Sequence, residues 1–343
     1  MSTKNATSLI SLEEAQTNAW VCQIIAAAGV LGFLGNLLVC FVILRVRFLH
    51  NMTNYLLVNL AVADMLICLS AFFHYISASG RCTIINFVPA STLGRELFCR
   101  LVTSQSLIWA FSNAGANNLC VVTLERYIAI VHPLQYARRV TATKMKTLVA
   151  LLWMLSVLLS LPFIFTISAS DDPDKACSDI TYPHPAFPVL LGVVMVSFTY
   201  ILPVILMSLA YYKIQVTLKR QAKALNLQRA KAAAYDLVIA RQHVISMLTI
   251  VLGTLIIFWT PDSICVILCL HPTSDSTLDF CDTESFKYIS GITSFLLYLN
   301  SVVNPIIYEL KYKKFRKGLR AVFCTCLDEH GGSNAVDAEM ARR

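Results

Sequence analysis

The 343-residue sequence predicts an all-α membrane protein: a seven-transmembrane helix bundle followed by a short amphipathic eighth helix. Three observations carry this. Hydrophobic residues make up 57% of the chain and charged ones only 14%, where a soluble globular protein carries about 25% charged residues. Seven stretches almost free of Asp, Glu, Lys and Arg reach the roughly 20 residues a helix needs to cross hydrocarbon. Between them, 22 of the 28 basic residues fall in alternate segments, the asymmetry that orients membrane proteins. The 12 cysteines show no C-x-x-C pair, which argues against a structural zinc site.

The expected spans are 20–44, 55–78 (interrupted only by Asp64), 101–124, 147–170, 187–212, 242–270 (interrupted only by Asp262) and 288–308. Residues 1–19 contain no apolar core of a cleavable signal, so the first span is expected to serve as its own signal. Segments 45–50, 126–146, 213–241 and 309–343 carry the basic excess and are assigned to the cytoplasm. The opposite set, residues 1–19 with the loops near 79–100, 171–186 and 271–287, holds 11 acidic residues against 6 basic ones. The resulting division is an extracellular N-terminus (1–19), a seven-span domain (20–308), an amphipathic helix (309–323) and a cytoplasmic tail (324–343), in a multi-pass protein of the plasma membrane. The net charge of +8 then belongs to a face lying on anionic lipid, and no nucleic-acid partner is implied. The sequon at Asn5 is outside and open to glycosylation; the one at Asn51 is inside and is a chance match.

No dinucleotide, P-loop, zinc-protease or nucleophile-elbow motif occurs, so the chain is not expected to be an enzyme. The spans instead carry polar groups at depth, which in a bilayer are functional hypotheses by default. Span one has Gly35-Asn36, span two Asn59-Leu60-Ala61-Val62-Ala63-Asp64, and span three ends in Glu125-Arg126-Tyr127. Span four has Trp153, span five Pro203, span six Trp259-Thr260-Pro261, and span seven Asn300 and Asn304-Pro305-Ile306-Ile307-Tyr308. Each is weak alone; in order, and each in its own span, they resemble the rhodopsin-like (class A) G-protein-coupled receptors over nearly the whole chain.

The resemblance implies roles for these residues. Asp64, with Asn300 and Asn304, would hold an allosteric sodium ion, the only cofactor expected; a neutral Asp64 that merely bonds Asn304 is the alternative, favoured by Gly115 where the family usually has a hydroxyl. Glu125 and Arg126, beside Tyr127, would form an ion pair that holds the bundle shut. On release Arg126 would reach toward Tyr211 and Tyr308 and contact a heterotrimeric G protein, with Leu134 as the apolar knob offered to that partner. Arg126 merely snorkelling to lipid is the plain alternative. Arg241 stands where many amine receptors place a second acid, and Leu255 replaces a usual Phe. Pro203, Pro261 and Pro305 are expected hinges, with Trp259 as the toggle beneath the ligand.

After Tyr308, basic residues alternate with Leu310, Phe315, Leu319 and Phe323, giving an amphipathic helix on the membrane. Cys324 and Cys326 beyond it are palmitoylation candidates. The tail's only hydroxyls past Phe323 are Thr325 and Ser333, which predicts weak phosphorylation-dependent arrestin capture. The family's disulfide falls on Cys99 and Cys177, although the interval from Cys99 to Arg126 is two residues longer than usual. For Cys82 and Cys281, a second bridge and free thiols both remain open.

The position of the amine receptors' Asp is Ile108 and that of the opsins' Lys is Tyr298, so neither chemistry is available. Asp262 is the remaining charge at depth, three residues above Trp259 and on roughly the same helical face. Asp171, Asp172, Asp174, Asp179, Asp275, Asp279, Asp282 and Glu284 surround the mouth, and an acidic rim focuses cations. The expected ligand is a short cationic or amidated neuropeptide bound at Asp262, with Gln105, Ile108, Trp109, Met195, Val266, Ser294 and Tyr298 as further pocket residues. Solvated rim acids and a structural Asp262 are the plain alternatives. The pattern is most similar to neuropeptide receptors of the galanin, allatostatin and somatostatin type. Competing readings are a receptor for a lipid or neutral small molecule, a constitutively active or scaffolding receptor, and, more remotely, a transporter or channel.

Overall fold

A computed structural model of the chain describes residues 2–78, 88–172, 175–227, 232–269, 281 and 283–328, with the side chains of 2–22, 226–227, 232–237, 240, 284, 287 and 324–328 outside the description. The spans are α1 (Ser2–Arg45), α2 (Met52–Phe73), α3 (Ser106–Val131), α4 (Ala142–Ile164), α5 (Ala186–Met195 and Leu202–Leu227, joined by a π-helical turn), α6 (Ala232–Leu268) and α7 (Glu284–Lys311); α8 (Lys313–Asp328) follows. Seven of these helices are long and apolar enough to cross a membrane. The membrane-compatible part of α1 is Gln23–Arg45, although the helix itself begins at Ser2.

Helix starts are set by side-chain oxygens that accept otherwise unpaired N–H groups. Asn51 caps α2 through the N–H of Asn54 at 3.0 Å, Thr141 caps α4, and Thr283 caps α7. Two short helices flank the spans: Thr92–Phe98 before α3 and Pro133–Arg139 between α3 and α4, the latter opening on a proline whose missing N–H costs nothing at a first turn.

Helix α3 is the axis, packed against α2, α4 and α5. Helix α4 is peripheral: its buried residues are Met145, Ser156 and Ser160, while Leu151, Met154, Leu158 and others are exposed on its outer flank. The inner core joins Val42, Leu57, Leu119, Ile214, Leu248 and Tyr308. Gly35 lets α7 approach α1, because a Cβ there would meet Pro305 at 3.2 Å.

The long interval before Arg126 has a local explanation. Cys99–Thr103 forms a π-helical turn and Gln105 adopts a left-handed backbone at φ 60°, so the surplus is absorbed above the start of α3. A second π-helical turn, Val196–Ile201, precedes Pro203 in α5, where the ring removes a donor and crowds the preceding turn.

Candidate functional site

The loop between α4 and α5 lies across one end of the bundle. The disulfide Cys99–Cys177 ties this loop to the π turn, with a Cα separation of 5.6 Å. Backbone bonds Ser178 to Ser168 and Thr181 to Thr166, both 2.9 Å, fold the loop back on itself. Glu96 anchors it, accepting from the Ala169 N–H at 2.7 Å and from Arg100 at 2.6 Å; both contacts hold its carboxyl below the usual range. A second disulfide joins Cys269, at the end of α6, to Cys281. Cys281 is therefore neither free nor paired with Cys82, which lies outside the described residues.

Beneath this loop is a cavity of about 270 Å³ walled by α3, α5, α6 and the loop, with Phe163 of α4 and Leu297 of α7. Trp109 stacks on Phe163 at 5.7 Å along one side; Met195, Val196 and Val266 line another; Trp259 lies among its walls and Tyr182 comes from the loop. A smaller chamber of about 30 Å³ lies toward α2 and α7, lined by Tyr75, Gln105, Ile108, Ser294 and Tyr298. Trp109, Asp262 and Leu297 belong to both, so Asp262 stands in the wall between them. Its Oδ1 accepts from Ser294 Oγ at 3.0 Å and Thr293 Oγ1 at 3.5 Å, and it is 7% exposed. Among the described residues it forms no ion pair.

Deeper, a void of about 10 Å³, the size of a single water, is lined by Asp64, Ser112, Gly115, Trp259, Asn300 and Ser301. Asp64 accepts from Asn304 Nδ2 at 2.7 Å. The side-chain oxygens of Asn36, Asn300, Asn304 and Ser112 are buried without partners, although the Asn36 amide nitrogen donates to the Gly32 and Ser301 carbonyls.

At the inner end, Glu125 is fully buried and accepts four hydrogen bonds. Two come from Arg126, both 2.6 Å; Thr53 donates at 3.0 Å and Tyr136, from the Pro133–Arg139 helix, at 2.6 Å. Neither tyrosine expected to receive Arg126 does so: Tyr211 bonds Thr123 at 2.8 Å, and the Tyr308 hydroxyl is buried without a partner. Tyr127 packs edge-on against His132, and Leu134 is 99% exposed.

The model of the 7 transmembrane receptor (rhodopsin family) matches residues 35–308. The chain belongs to this family. It is 27% identical to somatostatin receptor type 1 of Mus musculus, with 97% of this chain and 79% of that one covered. It is 30% identical to neuromedin-U receptor 2 of Rattus norvegicus (85% and 72% covered) and to somatostatin receptor type 4 of the same species (90% and 74%). The family consists of receptors, not enzymes.

Within this rhodopsin-family bundle, all eight expected pocket residues line one chamber or the other: Trp109 and Asp262 both, Met195 and Val266 the larger, Gln105, Ile108, Ser294 and Tyr298 the smaller. Sequence reasoning missed Phe163, Tyr182, Leu191, Thr199 and Tyr200 of the larger chamber. It also missed the polar ladder beside them, in which Asn113 donates to Ser160 and accepts from Thr199, and Asn117 donates to Ser156. The lock's other donors, Thr53 and Tyr136, were missed as well. Of the rim acids, Asp179 is paired with Lys175 at 3.0 Å, and Asp171 and Asp172 are exposed. Asp174, Asp275, Asp279 and Asp282 lie outside the described residues, as do the side chains of Glu284, Asn5, Cys324 and Cys326.

Proposed function

We propose that the chain is a plasma-membrane receptor, N-terminus outside, which binds a short cationic or amidated peptide and activates a heterotrimeric G protein. The observation that carries the ligand class is Asp262: a buried carboxylate with two hydroxyl donors and, among the described residues, no cation in an ion pair with it, placed between two chambers. A buried charge is costly until paired, and a ligand's Arg, Lys or amine supplies the partner. The larger chamber beside it gives room for a flanking residue of a peptide, with an apolar side chain over Trp259. The names of the relatives, receptors for somatostatin and neuromedin-U, agree with this class.

The closed arrangement is the resting state, with Arg126 held by Glu125 and both receiving tyrosines turned elsewhere. Opening transfers Arg126 to Tyr211 and Tyr308 and exposes the cavity that the G protein enters beside Leu134. Asp64 and the unpartnered oxygens of Asn300 and Ser112, all lining the void, would fit a sodium ion, whereas Asn304 does not line it and touches Asp64 only as a donor. The ion would neutralise Asp64 in the resting state, while Asn304 keeps it oriented.

The test is G-protein activation in cells expressing the wild type, Asp262→Asn and Arg126→Ala, challenged with a library of short basic and amidated peptides. The expected result is a peptide response lost in Arg126→Ala. In Asp262→Asn its potency should fall by at least about thirtyfold, since breaking a buried charge pair costs about 2–5 kcal/mol. Unchanged potency in Asp262→Asn at normal surface expression removes the salt bridge and turns the larger, apolar chamber toward a neutral or lipid ligand.

A further inference from the structure

Thr199, Tyr200 and Asp262 line the larger outer chamber, and hydrogen bonds fix what each can still offer a ligand. Ser160 Oγ gives its proton to the Ser156 carbonyl at 2.9 Å, so it can only accept from the Asn113 amide nitrogen at 3.3 Å. The Asn113 oxygen is thereby turned to α5, where it takes the proton of Thr199. Thr260 likewise gives its proton to the Ile256 carbonyl at 2.6 Å, so the Tyr200 hydroxyl donates to Thr260 at 2.5 Å. What Thr199 and Tyr200 have left is lone pairs only. Asp262 offers the same: its donors, Ser294 and Thr293, both go to Oδ1, which leaves Oδ2 open among the described residues. The other polar groups of the wall, the Ser263 hydroxyl, the Tyr182 phenol and the Trp109 and Trp259 indoles, carry no charge.

We propose that this chamber is an arginine subsite: the ligand's cation is a guanidinium that bonds Asp262 on α6 and the Thr199 and Tyr200 oxygens on α5. The inference rests on the reading of Asp262 as the ligand's counter-charge and names the group that supplies its partner. A guanidinium carries five N–H donors and no acceptor, spread over a planar fork that can serve acceptors on two helices at once. An ammonium gathers its donors on one strongly hydrated nitrogen, and a carboxamide sets its own oxygen against groups that have only lone pairs left. The walls suit a flat, weakly hydrated cation. Trp109 and Phe163 lie parallel, 10° apart at 5.7 Å, and both line the chamber; Arg is the cation most often held over aromatic faces. A volume of about 270 Å³ is on the order of twenty waters' worth, room for an arginine side chain with part of an apolar neighbour. The smaller chamber, at about 30 Å³, holds about two waters and could not take it. Thr199 is thus a specificity-determining residue, and the fully buried Asn113 a positioning residue that keeps the Thr199 proton away from the ligand.

Ligand-observed saturation-transfer NMR on the full-length protein in phosphatidylcholine nanodiscs measures the affinities of N-acetyl-arginine amide, N-acetyl-lysine amide and the uncharged isostere N-acetyl-citrulline amide. The arginine probe is expected to bind at least about tenfold tighter than either of the others. Thr199→Val and Tyr200→Phe should each lower its affinity about tenfold while moving the lysine probe by less than about threefold, a change of ratio that a merely structural loss would not give. Thr199→Ser, which keeps the hydroxyl, should preserve the ratio and keeps the test decisive should Thr199→Val fold poorly. Equal affinities for the arginine and lysine probes, both lost in Asp262→Asn, overturn the guanidinium subsite and leave the salt bridge to Asp262 standing. Citrulline binding as tightly as arginine, with Asp262→Asn without effect, removes the salt bridge and the subsite with it. A preference for arginine that survives both Thr199→Val and Tyr200→Phe overturns the assignment to α5. No saturable binding of the arginine probe up to about 50 mM overturns the proposal as well.

Discussion

Replacing Tyr136 by Phe removes one hydroxyl and leaves a ring that packs against the inner core. That hydroxyl donates to Glu125 at 2.6 Å, and a hydrogen bond to a charged group contributes about 1.5–3 kcal/mol. Tyr136 is only half-buried, so the lower figure applies: about 1.5 kcal/mol, or roughly tenfold in the balance between locked and open forms. While the open form is rare, signalling without ligand scales with its population, so Tyr136→Phe should raise basal nucleotide exchange on the cognate Gα about tenfold. Glu125→Gln should raise it further, because it also weakens both Arg126 contacts and the Thr53 bond. Burial first, and Glu125 next, push the Tyr136 phenol up to about 12. A raised value means the bond's contribution is whole below the ordinary phenol value near 10 and is lost as pH rises through 12. The effect of the substitution should therefore be constant from pH 6 to pH 8. The assay is exchange by purified protein in nanodiscs. Basal exchange within about twofold of wild type in Tyr136→Phe, alongside a clear rise in Glu125→Gln, would refute the bracing role.

A Cβ on Gly29 would lie 2.5 Å from the Tyr298 hydroxyl, whose ring is buried, so Gly29→Ala should cost about 1–3 kcal/mol of overpacking. Adding Tyr298→Phe should restore most of the loss in thermal unfolding; no loss in the single variant would show that the contact is absent. A non-reducing peptide map should contain a Cys269–Cys281 linked peptide, and Cys269→Ser should make Cys281 reactive to maleimide at about 2–4 kcal/mol of stability. Labelling of Cys281 in the oxidised wild type counts against the bridge.

The spans were legible because hydropathy and length suffice to find them, and the deep polar residues because each stands out in an apolar stretch. Glu125, Arg126, Asp64, Asn304 and Asp262 were all found this way. Lining residues such as Phe163, Thr199 and Tyr200 were not, since an apolar or hydroxyl residue in a span gives no sign of which way its helix is turned. Cys269 was hidden by position: it falls inside the expected span 242–270, one residue before its end, so only Cys82 and Cys281 stood out as spare loop thiols. The surplus between Cys99 and Arg126 was visible as a count, but a π turn and a left-handed Gln105 are backbone solutions with no side-chain signature. Lys175 and Asp179, four apart, did carry a pairing signal that a tally of rim acids passes over.

Two side chains are common to the larger outer chamber and the Asp64 void. Trp259 is shared by the larger outer cavity and the Asp64 void, and Leu297 by both of these and the smaller chamber. A ligand that presses on Trp259 therefore also reshapes the space beside Asp64, because close-packed interiors rearrange between discrete packings and do not yield gradually. The Trp259 Nε1–H is buried with no partner, so the resting position of this ring is not fixed by a hydrogen bond. Below it, Leu255 lines the same void and adds only apolar contact. What a ligand must overcome to move Trp259 is packing alone, whereas the inner end is held by a carboxylate with four hydrogen-bond donors. On the reading proposed above, the step that resists activation is the one at Glu125, and a ligand must favour the unlocked form by the difference between those contacts and the ones Arg126 gains on opening.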